Sequence, residues 1–235
     1  NGFFLRSAND DGNPATSAGI FVFTSSAPPA TATVGNRVRV SGTVTEFTPS
    51  TNLNQLSITE LVSVTSIQVI STDNPLPAPV ELTSADFGAG TTPVTAEKYE
   101  GMRVSVGTAK AVSGSDGNID ENDALSTTTG VFHVVLPDVA RPFREAGIGI
   151  LDAFPIPASK NPPRFDTNQE RLMVRSRGQI GASALAVDVD AEVGNLVGVL
   201  DYFSGTWALL PDAGTTISVA GGKQPTAVSD ARYED

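Results

Sequence analysis

The sequence predicts an all-β protein made of two tandem small barrels of the five-stranded oligonucleotide/oligosaccharide-binding (OB) type, the second carrying a long irregular insertion. Three observations lead there. Short runs of Val, Ile, Phe and Thr alternate with clusters of Gly, Pro, Asn, Asp and Ser, the punctuation of strands and turns. Several runs alternate strictly, as in Arg37-Val38-Arg39-Val40-Ser41, where valine faces one side and polar groups the other. Two blocks also recur in the same order. Gly19-Ile20-Phe21-Val22-Phe23 matches Gly130-Val131-Phe132-His133-Val134, and Val34-Gly35-Asn36-Arg37-Val38 matches Val193-Gly194-Asn195-Leu196-Val197, with Gly-Asn expected to make a tight turn before each strand. Modules of about 80 residues with five short strands suit a closed barrel, which protects its edges.

Element by element, strands are expected at 19–24, 37–47, 55–59, 66–71, 102–106, 131–136, 172–176, 196–203 and 206–210. Short helical turns are expected near 84–87, 96–99 and 142–146. The repeat spacing places a first module at 1–73 and a second at 98–220, with an insertion at 138–186. Between them, 74–97 reads as a linker opened by Asn74-Pro75-Leu76-Pro77-Ala78-Pro79, whose alternating prolines favour an extended connector; 221–235 reads as a C-terminal linker.

Composition excludes several functions. The 235 residues contain no cysteine and one histidine, His133. This removes disulfide scaffolds, thiolate metal sites, cysteine nucleophiles and any centre needing two imidazoles. No apolar run approaches the ~18 residues of a membrane-spanning helix. The net charge of −11 repels nucleic acid at long range, so contact with it would need a local basic patch. That patch is expected in the insertion, where Arg141, Arg144, Arg164, Arg171 and Arg175, with Lys160 and Arg177, make 138–177 net positive within an acidic chain. Arginine suits bidentate phosphate contact, and Tyr202 and Trp207, beside the Ser204-Gly205 turn, would be partly exposed for base stacking. The alternative is that these arginines pin the insertion to the barrel through ion pairs.

Two loops carry the oxygen ligands calcium prefers. One contains Asp10, Asp11 and Asn13, the other Asp116, Asn118 and Asp120. The second lacks the glycine and the final glutamate of an EF-hand loop, since Glu121 and Thr127 stand at those positions. For both, the alternative is a solvated Asx turn.

The run Gly2-Phe3-Phe4-Leu5-Arg6, then Asp11-Gly12-Asn13-Pro14, Gly19-Ile20-Phe21-Val22-Phe23 and Asn74-Pro75-Leu76-Pro77, resembles the accessory region of large secreted bacterial nucleases. Ala140-Arg141-Pro142-Phe143-Arg144, Pro163-Arg164-Phe165 and Gly198-Val199-Leu200-Asp201-Tyr202 extend the resemblance along nearly the whole chain. In that family a tandem OB-like region precedes a metal-dependent catalytic domain of the endonuclease/exonuclease/phosphatase fold. The catalytic domain needs paired histidines, which this chain lacks, so no catalytic residue carries over. The resemblance implies a secreted, non-catalytic region acting as substrate guide, spacer or attachment module, with single-stranded DNA as the partner of the basic insertion. The alternative is a structural subunit of an extracellular β-rich assembly or filament, built by strand donation between copies of the chain.

Repeat spacing also places the first module's opening strand before Asn1. Three ways of filling that slot follow: residues upstream of this sequence, the alternating run Thr216-Ile217-Ser218-Val219-Ala220, or a strand donated by a neighbouring copy.

Overall fold

A computed structural model describes residues 1–9, 11–50, 55–120, 122–123, 125–142, 148–149, 164–165 and 169–223. Alternating β-branched and aromatic residues build two principal sheets. The first holds β1 (Gly2–Arg6), β2 (Gly19–Phe23), β3 (Arg37–Phe47) and β4 (Ile58–Ser71) in the order β1-β2-β4-β3. β4 is one continuous strand where two shorter ones were expected. It pairs along most of its length with β3, across an irregularity between Ser41 and Thr43 that lets the long hairpin coil.

After the prolines come β5 (Val80–Glu81), the single-turn helix α1 (Ser84–Phe87) and a 3-10 segment at Pro93–Tyr99. Thr83 caps α1, exchanging hydrogen bonds with Asp86. This stretch does not behave as a linker. Leu82, Phe87 and Ala96 are buried in the core of the second sheet, where their apolar side chains are removed from water.

The second unit contains β6 (Arg103–Val106), β7 (Ala109–Ala111), the small hairpin β8 (Gly117–Asp120) and β9 (Leu125–Thr128), then β10 (Val131–Val135). The two-residue strands β11 (Ile148–Gly149) and β12 (Arg164–Phe165) pair in parallel, and β13 (Leu172–Arg175), β14 (Glu192–Gly194), β15 (Leu196–Phe203), β16 (Thr206–Pro211) and β17 (Ser218–Ala220) follow. Nine strands form a sheet ordered β17-β14-β7-β10-β13-β16-β15-β6-β5. The sheet is curled and barrel-like. Pairings run from β7 through β10, β13, β16 and β15 to β6, and β6 leads back into β7 after Gly107 and Thr108. The Gly194-Asn195 dipeptide is not a hairpin turn. Asn195, at φ 60°, kinks a strand whose first part pairs with β7 and whose second pairs with β6.

The two sheets share one ladder. In the first, β1 is antiparallel to β2, β2 parallel to β4, and β4 antiparallel to β3; in the second, β10, β13, β16 and β15 repeat that pattern. The registers also match. Phe3, Val22, Leu61 and Val44 lie side by side across the first sheet, as Phe132, Val174, Leu209 and Leu200 do across the second. Gly42 and Gly198 take corresponding places, each packed against a carbonyl, that of Val62 or of Leu210.

This equivalence corrects the repeat read from sequence. The strand matching β10 is β1, not β2, and β2 matches β13; a five-residue apolar run headed by glycine fits several strands, whereas pairing identifies one. The expected insertion 138–186 therefore contains β13, a member of the ladder. The enlarged connection is the one between β10 and β13, and much of it lies outside the described residues.

In the second unit β6 and β7 bridge the outer strands β15 and β10. No described strand bridges β3 and β1. The run Thr216–Ala220, one of the three expected fillers, instead contributes β17, which pairs with β14.

Candidate functional site

The open side of the first sheet holds a cleft of about 540 Å³, lined by Leu5 and Arg6 of β1, Arg37, Val38 and Arg39 of β3, and Ile70 of β4. The outer strands β1 and β3 both line it although two strands separate them, so the sheet curls until its edges face one cavity. Gly35, at φ +89°, turns the chain into β3, and its carbonyl accepts from the backbone and side-chain N–H groups of Asn74 at 2.8 and 2.9 Å. Arg6 donates to the Ala78 carbonyl at 3.1 Å. Among the described residues Arg37 and Arg39 have no ion-pair or hydrogen-bond partner, and both are exposed. With Arg6, Arg37 and Arg39 set against Asp11 on its wall, the cleft is a net basic, partly apolar trough in an acidic protein.

The expected nucleic-acid residues are not assembled into one surface. Tyr202 and Trp207 are 1% and 2% exposed, which corrects the expectation that they could stack on bases. They are cross-strand partners in the β15–β16 hairpin and pack edge to face at 4.9 Å inside the core. Their polar atoms are engaged: Trp207 Nε1 donates to the Pro93 carbonyl at 2.8 Å, and the Leu56 N–H donates to the Tyr202 hydroxyl at 3.4 Å. Arg175 lies 3.8 Å from Asp201 and stacks over Phe203 at 3.9 Å. Arg141 lies 3.7 Å from Asp190 and donates to the Val112 carbonyl at 3.2 Å. Arg171 is half-buried beside His133. Burial, with that guanidinium, holds the imidazole below its ordinary pKa and therefore neutral. Arg144 lies outside the described residues, as does the side chain of Arg164.

The acidic loops are organised by their own hydrogen bonds. Asp11 accepts from the Asn13 N–H and the Thr16 hydroxyl, both at 2.8 Å, and these bonds hold its carboxyl below the usual range. Asp120 accepts from the Asn122 N–H at 3.0 Å at the tip of the β8–β9 hairpin, where Asn118 lies exposed. The Asp116 carbonyl accepts from Thr129. Among the described residues no group of three or more acidic or histidine side chains is placed to hold a metal ion. Asp10 lies outside them.

A carboxylate cluster missed in the sequence marks the junction of the two units. Glu100 is 7% exposed and accepts weakly from the Thr59 N–H on β4. Burial first, then Glu97, and also Glu46 and Asp201, push its carboxyl up to about 8. Glu60 and Asp201, both desolvated, are raised as well. Only the Glu97–Glu100 spacing was visible in sequence. The basic trough was equally hidden, because Arg6, Arg37 and Arg39 belong to a stretch whose charge is acidic on average.

No family model, curated protein or solved structure matches this chain.

Proposed function

We propose that this chain is a non-catalytic, tandem OB-type region of a secreted nuclease-like protein, and that it serves as spacer and attachment module. The observation that supports this most is the shared ladder. In the second unit the order β7-β10-β13-β16-β15-β6, with β13 parallel to β16, supports a five-stranded OB reading in which β6 and β7 count as one bent strand. The first unit repeats four of those strands in register. The relation to nucleases rests on the sequence resemblance. Attachment is favoured over substrate guiding because Arg141 and Arg175 are committed to internal ion pairs, and Tyr202 and Trp207 are buried.

Two measurements test this. Purified chain should show no phosphodiesterase turnover with Mg²⁺, Mn²⁺ or Ca²⁺, since a two-histidine metal constellation cannot form from one histidine. Titration of labelled single-stranded DNA at low salt should show no binding that depends on Arg171 or Arg175. Turnover, or salt-dependent binding lost in Arg171→Ala/Arg175→Ala, would reject the spacer reading.

A further inference from the structure

In the second unit, the gap between β10 and β15 holds β6 and β7. That bridging strand turns Val104, Val106, Ala109 and Ala111 into the core and Arg103, Ser105 and Lys110 away from it. Its two cations meet acids: Arg103 lies 2.8 Å from Asp212 and Lys110 4.0 Å from Asp190. The first unit has the same four-strand ladder, and among the described residues no strand fills the equivalent gap. The interior row that the bridge would cover ends at Val44, which is 62% exposed, whereas the corresponding Leu200 is fully buried. Among the described residues no further strand pairs with the outer edges of β1 and β3, which flank this apolar row and make a template for one more strand. The charge is reversed, however: Arg6, Arg37 and Arg39 line this gap.

We propose that the open side of the first sheet is an acceptor for one extended β-strand of another polypeptide, alternating small apolar residues with carboxylates. It pairs with β1 on one side and β3 on the other. Carried over from β7, the register sets the incoming residue equivalent to Ala111 opposite Leu5 and the one equivalent to Lys110 opposite Arg6, so a carboxylate in the latter place meets the guanidinium. Small apolar residues suit the inward positions because the walls already supply Phe3, Leu5 and Val44. The inference depends on the equivalence of the two ladders and not on the relation to nucleases, so either can fail without the other.

The test uses the whole chain and synthetic peptides of residues 102–112, the bridging sequence of the second unit. One peptide keeps that sequence, one carries Arg103→Glu and Lys110→Glu, and one adds Ala109→Pro to the acidic form. Fluorescence anisotropy should show the acidic peptide binding about fivefold more tightly than the unaltered one, as expected when the position facing Arg6 changes from a repulsive to an attractive surface pair and the second carboxylate, placed opposite Thr43, adds to the attraction of the basic trough. The proline form should not bind. Arg37→Glu/Arg39→Glu in the protein, two exposed positions, should reverse the preference. Amide hydrogen exchange should show new protection in β1 and β3 alone. Absence of peptide binding, or protection elsewhere, would overturn the proposal. So would protection of these amides by single-stranded DNA in place of peptide. Concentration-dependent protection in the protein alone, with loss of peptide binding, would assign the gap to a second copy and likewise overturn it.

Discussion

Two rows of side chains, one in each sheet, separate the halves of this molecule. Phe132, Val174, Leu209 and Leu200 are all fully buried, while in the matching row only Val22 is, and Val44 stands 62% exposed. The ladders beneath these rows are the same in order, direction and register. The difference lies in the bridging strand. β6 and β7 pair with the outer strands β15 and β10 of the second sheet; among the described residues no strand does so in the first, whose four well-paired strands hold their hydrogen bonds but enclose little. Backbone pairing makes a sheet, and closure makes a core.

The largest expected effect breaks that comparison. Leu200→Ala should cost about 2–5 kcal/mol, the range for a buried leucine, whereas Val44→Ala, at the matching exposed position, should stay within about 0.5 kcal/mol. Urea denaturation of the two variants checks this, and equal losses would mean that the first sheet is closed in solution.

Next comes the junction. Glu100 holds its proton in the folded protein up to about pH 8 but loses it near the ordinary carboxylate value when unfolded. Between those values the folded state binds more protons, so stability falls as pH rises through the window. The drop should be on the order of a few kcal/mol, and Glu100→Gln should flatten it. Melting temperatures from pH 5 to 8 decide the point, and a variant that keeps the slope would locate the titration at Glu60 or Asp201.

A third pair sharpens the comparison by predicting likeness. A methyl group added at Gly198 would strike the Leu210 carbonyl, and one at Gly42 would approach the Val62 carbonyl at 2.7 Å. Both Gly→Ala changes should destabilise by about 1–3 kcal/mol, because this contact belongs to the shared ladder and not to the bridge. The smallest effect is expected from Arg175→Ala. Its partly exposed pair with Asp201 and its stacking on Phe203 should be worth about 1 kcal/mol in thermal unfolding, with no change in single-stranded DNA binding.

Much of the local structure was legible in the residues. The strands expected at 37–47 and 196–203 are β3 and β15 to the residue, and the helical turn expected near 84–87 is α1. The three-residue strands β7 and β14 were not, since they contain too few residues to show a period and exist only because β6 and β15 bend into them. Tyr202 and Trp207 looked exposed from their nearness to a turn, but the hairpin pairs them facing inward under Pro93. Arg6, Arg37 and Arg39 were visible only as the polar face of two strands; curling brought them to one trough.

By itself the sequence determined the all-β character, the main strands, and that these residues hold no two-histidine or cysteine-based centre. These follow from residue type, short-range period and spacing along the chain, which need no knowledge of neighbours. Only the tertiary structure decided which strands are equivalent, which arginines share a surface, and that β17 joins the second sheet instead of closing the first. Those outcomes depend on hydrogen-bond register between distant segments, and a register is a property of two strands together that neither carries alone.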